Sequence, residues 1–236
     1  PSSVWKVIKA MALGMTLLLS ILLLNRMAWI TLFVFAIVTL WIQMKQPVFS
    51  KQHWRTMLRV SLSSVVVILL IGFLVIDEPY TFLHQFEMSF DLEKGTTRDR
   101  ILLQTRTLEL AFSSFMFGTG FDTWKVFIMQ FPQDGMLTES GTLFYQRPHN
   151  DYLWLFSEAG IVPALLYLGL HILGIVRSFQ RIKADGLPAF VLLLSWIGIF
   201  IASFSNFPIE RPEYLLVIAL LCALTFNVPK LGQSNK

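Results

Sequence analysis

The stretch Arg147-Pro148-His149-Asn150-Asp151 is where the residue types of this chain point most clearly to chemistry. A histidine has an unperturbed pKa of about 6.5, so His149 is largely neutral near pH 7 and can accept a proton. Pro148 pushes Arg147 toward an extended backbone. Asn150 or Asp151 can cap a helix starting at Tyr152, which holds His149 at the mouth of that helix. The plain alternative is a surface histidine with no chemistry. His53, His84 and His171 have no comparable setting.

Arginines are the second group, because a guanidinium stays charged and grips oxyanions through two parallel hydrogen bonds. Arg26 stands in a short connection between two apolar runs, where ordinary lipid-phosphate anchoring is the competing explanation. Arg98, Arg100 and Arg106 lie on one helical pattern, where the competitor is a solvated face. Arg147 and Arg211 border apolar runs, and Glu210 can pair with Arg211. Glu158 falls about two turns into the run after His149. A charge at the bilayer centre costs roughly 2.5 to 3.5 kcal/mol, so Glu158 is expected to face a polar cavity or to be protonated. Trp29, Trp124 and Trp154 could stack on sugars, although interfacial tryptophan belts are commoner. His149-Asn150-Asp151 offers neighbours in sequence rather than ligands on one helical face, and the single Cys222 rules out a thiolate cluster. No metal and no cofactor is expected.

The elements that must position these groups follow from composition. The chain is 55% hydrophobic and 14% charged, against about 25% charged in soluble domains. Six apolar stretches are long enough to span a hydrocarbon core of about 30 Å. They run Val7–Leu24, Met27–Met44, Val60–Ile76, Tyr152–Val176, Leu187–Asn206 and Pro212–Val228. The fold class expected is all-α, a polytopic transmembrane bundle. Residues 1–76 and 152–236 would each carry three spans, the second set followed by a cytoplasmic tail. Residues 77–151 would form an extracytoplasmic loop. Lys6 and Lys9, Lys45 to Arg59, Arg177 to Lys183, and Lys230 and Lys236 fall in alternate connections, and the acids fall almost entirely in the others. The positive-inside rule then puts both termini in the cytoplasm. The formal charge of +4 is explained by this orientation, and no nucleic-acid partner is expected.

A loop of that length is commonly functional. Within it Ile101, Leu102, Leu108, Phe112 and Phe115 recur near helical period from Arg98 to Phe117, while Arg100, Gln104 and Thr107 lie along another face. This predicts an amphipathic helix resting on the membrane. Gly118-Thr119-Gly120 reads as its stop and turn. A nucleotide loop is a poor reading, since no strand precedes it and no further glycine completes the spacing.

The run from Arg147-Pro148-His149-Asn150-Asp151 through Tyr152, Trp154, Ser157 and Glu158 to Gly160 resembles the signature of the O-antigen ligase family. That family includes lipopolysaccharide O-antigen ligases, surface-polysaccharide polymerases and protein O-oligosaccharyltransferases. Asn25-Arg26, the stretch from Arg100 to Gly120, and Asn206-Phe207-Pro208 resemble further family features. Gln104 stands where members often carry an aromatic residue, and Asn206 where they carry an acid. The chain begins at Pro1, and complete members have about twice as many spans, so it resembles their C-terminal half.

The resemblance implies a multi-pass protein of the bacterial inner membrane with its site facing the periplasm. It implies transfer of a glycan from an undecaprenyl-diphosphate-linked donor to a hydroxyl of the lipid A-core, or of another glycan or protein acceptor. His149 would be the base, with Arg26 and Arg100 the other catalytic residues holding the diphosphate. Arg98, Arg147, Asn150, Asp151 and Arg211 would contact substrate, and membrane lipids would surround the protein. A polymerase shares donor and site. A polysaccharide-lipid transporter is the alternative of another class, but it would place ionisable groups near mid-membrane on internal repeats, and none is evident.

Overall fold

The computed structural model describes residues 26–52, 54–56, 58, 59, 63, 66, 95–132 and 145–226. Its regular elements are helices, with no strand among the described residues. The chain divides into two compact units, Pro1–Phe90 and Asp91–Lys236.

In the first unit α1 spans Arg26–Lys45. It is apolar around most of its circumference, with Ile30, Phe33, Ile37, Trp41 and Met44 exposed and Ile42 buried. A helix that is apolar all round belongs in a core or in lipid. It ends where Gln43 folds onto the following turn, donating to the Phe49 carbonyl at 2.8 Å and accepting the Phe49 N–H at 3.1 Å. The expected spans Val7–Leu24 and Val60–Ile76 lie outside the described residues, apart from Ser63 and Val66.

The second unit holds α2 (Gly95–Ser113), the short α3 (Trp124–Phe127), α4 (Asp151–Ala159), α5 (Ile161–Asp185), α6 (Leu187–Ser205) and α7 (Pro212–Phe226). Single turns of tighter helix follow α3 at Ile128–Gln130 and precede α7 at Pro208–Glu210. Among the described residues α5 and α6 are long and apolar enough to cross a membrane, while Ile30–Lys45 and Pro212–Phe226 are apolar but shorter. At 1.5 Å per residue, the 25 residues of α5 reach ~37 Å.

Helices α5, α6 and α7 pack around Leu192, Trp196, Ile199, Ile218 and Leu221. Gly174 lets the Trp196 ring lie directly on the α5 backbone, since a Cβ there would come within 2.4 Å of the ring. The Trp196 indole N–H reaches Thr225 Oγ1 at 2.9 Å. Arg181 closes the opposite end, donating to the Leu224 and Thr225 carbonyls at 3.0 and 3.1 Å while pairing with Asp185. It thereby satisfies carbonyls that the end of α7 leaves without partners.

The expected single span Tyr152–Val176 is two helices, broken at Gly160, whose φ is +89°. The break leaves helix-end groups unpaired, and the turn after α2 supplies partners. Thr119 and Gly120 N–H donate to the Ser157 and Glu158 carbonyls at 2.9 Å each, and Ile161 N–H donates to the Phe115 carbonyl at 3.0 Å. Two glycines make this possible. A Cβ on Gly118 would lie 2.2 Å from the Glu158 carbonyl carbon, and one on Gly160 would lie 2.1 Å from the Met116 oxygen. The irregular backbone is tolerated because protein groups satisfy it in this way.

Candidate functional site

Helix α2 turns its polar residues toward the rest of its unit. Thr107 is fully buried and accepts the Trp124 indole N–H at 3.0 Å, beside the apolar cluster of Leu103, Leu110, Trp124 and Ile128. Ile101, Leu108, Phe112 and Phe115 remain exposed. On that inward face Arg100 donates to the Ser205 carbonyl and Gln104 to the His149 carbonyl, both at a long 3.5 Å. One helix thus touches both the end of α6 and the histidine segment.

His149 has φ +53°, a left-handed conformation that few non-glycine residues adopt. Its position is imposed from both sides. Asn150 caps α4, its Oδ1 accepting the Leu153 N–H at 3.1 Å. Arg147, half-buried, donates from Nε to Glu210 at 3.0 Å, lies 3.6 Å from an Asp122 oxygen and sits 5.0 Å over the Trp154 ring. The sequence paired Glu210 with Arg211; the structure pairs it with Arg147, because the turn at Pro208–Glu210 folds back toward the histidine segment. Arg211 instead lies 3.8 Å from Glu213 and 5.2 Å from the Phe207 ring.

The His149 imidazole sits against Tyr145 and Phe207, with centroid distances of 5.7 and 5.3 Å. Its Nδ1 is buried without a hydrogen-bond partner. Burial, aided by the Arg100 charge, lowers its pKa to about 4. The ring is therefore neutral at pH 7 and able to take a proton. An anion neutralising Arg100 would raise its basicity, since a nearby opposite charge favours the protonated form.

Asp151 is fully buried. Its Oδ2 accepts the Ile209 N–H and the Tyr167 hydroxyl, each at 3.1 Å, while Oδ1 has no partner. Tyr167 also lies 3.1 Å from Ser203 Oγ. Burial raises the carboxyl to about 7, and the Glu210 charge adds to the rise. Asp151 thus joins the start of α4, α5 and the turn before α7. Glu158 is buried too, and its two oxygens accept the Asp122 and Trp124 N–H groups at 2.9 Å each. That places a carboxylate on the unpaired N–H groups at the start of α3, as helix ends prefer.

Of the residues expected from sequence, His149, Arg100 and Arg211 gather around the end of α6. Asn150, Asp151 and Arg147 hold the histidine segment in place. Arg98 is exposed on α2. Arg26 begins α1, in the other unit. Tyr145, Phe207 and Gln104 were missed as site residues. Gln104 carried a signal, one turn beyond Arg100 on the same helical face, and so did Phe207, within the Asn206-Phe207-Pro208 stretch. Beside Phe207 opens a cavity of about 340 Å³, lined by Ala202, Asn206, Phe207, Pro208, Arg211, Glu213 and Tyr214. Among the described residues no group of three or more His, Cys, Asp or Glu side chains is placed to hold a metal ion.

An all-helical chain with two helices long and apolar enough to cross a membrane, and a half-buried histidine beside the end of one of them, fits a membrane protein. A family model described as O-antigen ligase matches residues 11–168, and the chain belongs to the O-antigen ligase family. Members are membrane proteins, typically enzymes, and the family supports glycan transfer or polymerisation on polysaccharide or lipid-linked substrates. The match includes Arg26, Arg100 and the histidine segment and ends before α6, so Phe207 and Arg211 lie beyond it. Among curated proteins nothing matches the chain.

Proposed function

We propose that this protein transfers a glycan from undecaprenyl diphosphate to an acceptor hydroxyl, the sugar of a lipid A-core, on the periplasmic face of the inner membrane. The observation that carries the reading is the neutral His149 imidazole, set among aromatic rings at the end of α6 within the electrostatic reach of Arg100. In the step proposed, the acceptor oxygen attacks the anomeric carbon of the donor sugar and the bond from that carbon to the diphosphate oxygen breaks. The hydroxyl proton passes to His149, and undecaprenyl diphosphate leaves. Arg100 balances the charge on the departing diphosphate, the role that the family resemblance also gives Arg26, and the step calls for no metal or cofactor. General-base help of this kind contributes roughly 10² to 10⁴-fold. In a site that excludes water, an arginine contact to the developing charge is worth more than it would be in water.

Polymerisation of repeat units and protein O-glycosylation use the same donor and the same step, and differ only in acceptor. Cells carrying His149→Ala or Arg26→Ala distinguish them through their lipopolysaccharide ladder and lipid-linked glycans. Ligation predicts bare core with carrier-linked polymer accumulating. A polymerase would leave core bearing a single repeat, and a protein-glycosylating enzyme would leave a secreted protein bare. Intact transfer in both variants, with carrier flipping lost instead, would point to transport and sink the enzyme reading.

A further inference from the structure

We infer that the cavity between the end of α6 and the start of α7 is the acceptor subsite, binding the terminal sugar ring of the acceptor beside His149. The inference rests on the glycan-transfer reading and assigns residues beyond the family match. The volume of about 340 Å³ falls at the lower end of the ~300 to 1,000 Å³ of small-molecule sites, which suits a sugar ring. Its lining alternates aromatic faces, Phe207 and Tyr214, with hydrogen-bonding groups, Asn206, Arg211 and Glu213. A pyranose matches that mixture, with C–H faces to pack on rings and hydroxyls around its edge.

Charge argues against the diphosphate as occupant. Glu213 stands 3.8 Å from Arg211, so the cavity offsets its own cation and sets a carboxylate where phosphate oxygens would be repelled. A neutral polyol accepts from the guanidinium and donates to the carboxylate. Arg100 is not part of this lining and is left for the anionic donor. Proximity to the base comes through one ring: Phe207 lies 5.3 Å from the His149 imidazole and 5.2 Å from the Arg211 guanidinium. A sugar packed on Phe207 is therefore one side chain away from His149.

The test uses the full-length protein in detergent with methyl glycosides of glucose, galactose and N-acetylglucosamine as probes, read by saturation-transfer NMR. At least one glycoside should receive saturation, and its binding should weaken roughly tenfold in Tyr214→Ala, the loss expected for about 1.4 kcal/mol of contact. Glu213→Gln, at an exposed position, should weaken it less and change which glycoside is preferred. Geranyl diphosphate should not displace the sugar. The inference is overturned if no glycoside receives saturation, if both variants bind as the unaltered protein does, or if the diphosphate competes. Transfer measured in His149→Ala keeps the two readings apart. Transfer that survives there, with glycoside binding still dependent on Tyr214, removes the base assignment and leaves the sugar site standing.

Discussion

The α5–α7 bundle and the layer of α2, α3 and α4 are held together by different means. In the bundle, Leu192, Trp196, Ile199, Ile218 and Leu221 fill the interior, and side chains tie one helix to the next, Trp196 to Thr225, Tyr167 to Ser203 and Arg181 to the last carbonyls of α7. In the layer, backbone meets backbone through Gly118 and Gly160, Glu158 holds the start of α3, and Arg147 joins Asp122, Trp154 and Glu210. A continuous helix satisfies its own backbone and needs only packing. The layer consists largely of helix ends, and each needs partners from elsewhere in the chain. His149 sits where those ends converge, so its strained backbone is stabilised by contacts that a spanning helix could not offer.

The contrast breaks most visibly at the site itself. His149→Ala should lower transfer by roughly 10² to 10⁴-fold with only a small fall in the unfolding midpoint in detergent, because the imidazole packs on Tyr145 and Phe207 but its Nδ1 has no hydrogen-bond partner to lose. A large fall in that midpoint would make His149 a structural residue. Gly160→Ala should lower the unfolding midpoint and, with the layer disrupted, transfer as well. Its φ of +89° and the 2.1 Å approach to the Met116 oxygen combine backbone strain with a collision, and a loss of roughly 3 kcal/mol or more is expected. Thermal unfolding of the purified variant checks it. If Gly160→Ala melts like the unaltered protein, the glycine lock is not what holds the layer.

Legibility in the sequence follows the same division. The stretches that form α1, α5, α6 and α7 are visible as apolar runs, because an apolar helix needs little except length and hydropathy. The break at Gly160 falls inside one expected span although Ser157, Glu158, Gly160 and Pro163 interrupt the apolar pattern there, because the turn that satisfies the break comes from residues about 40 positions earlier. Helix α2 was legible as a helix, and its polar stripe of Arg100, Gln104 and Thr107 marks the face that packs inward. The cap by Asn150 follows from residue type. The ties from Arg147 to Glu210 and from Asp151 to Ile209 join residues about 60 positions apart. No local pattern encodes them.

Protonation sharpens the comparison further. The His149 pKa is depressed from 6.5 to about 4, so its contribution to stability is present above 6.5 and lost as pH falls through about 4. Asp151 is raised from 3.8 to about 7, so its contribution is full below 3.8 and lost as pH rises through about 7. Between pH 6.5 and 8 the Asp151 contribution falls, while the last of the His149 contribution is still being gained, because an unfolded histidine is half protonated at 6.5. The melting temperature of the unaltered protein should therefore fall relative to that of Asp151→Asn across that window. Equal slopes in both would remove Asp151 as the titrating link between α4 and the turn before α7.

The smallest effect belongs to the bundle. Gly169 lies within α5, where an added Cβ meets nothing within 4 Å. Alanine disfavours the helix interior less than glycine does by roughly 0.5 to 1 kcal/mol, so Gly169→Ala should raise the melting temperature slightly and leave transfer unchanged. The neighbouring Leu165, Leu166, Ile172 and Leu173 are exposed, as a lipid-facing surface would be. A clear loss of stability in Gly169→Ala, measured in the full-length protein, would mean that another helix packs against this face of α5. The bundle would then share the layer's dependence on close backbone approach, and the difference between the two regions would narrow to the helix ends alone.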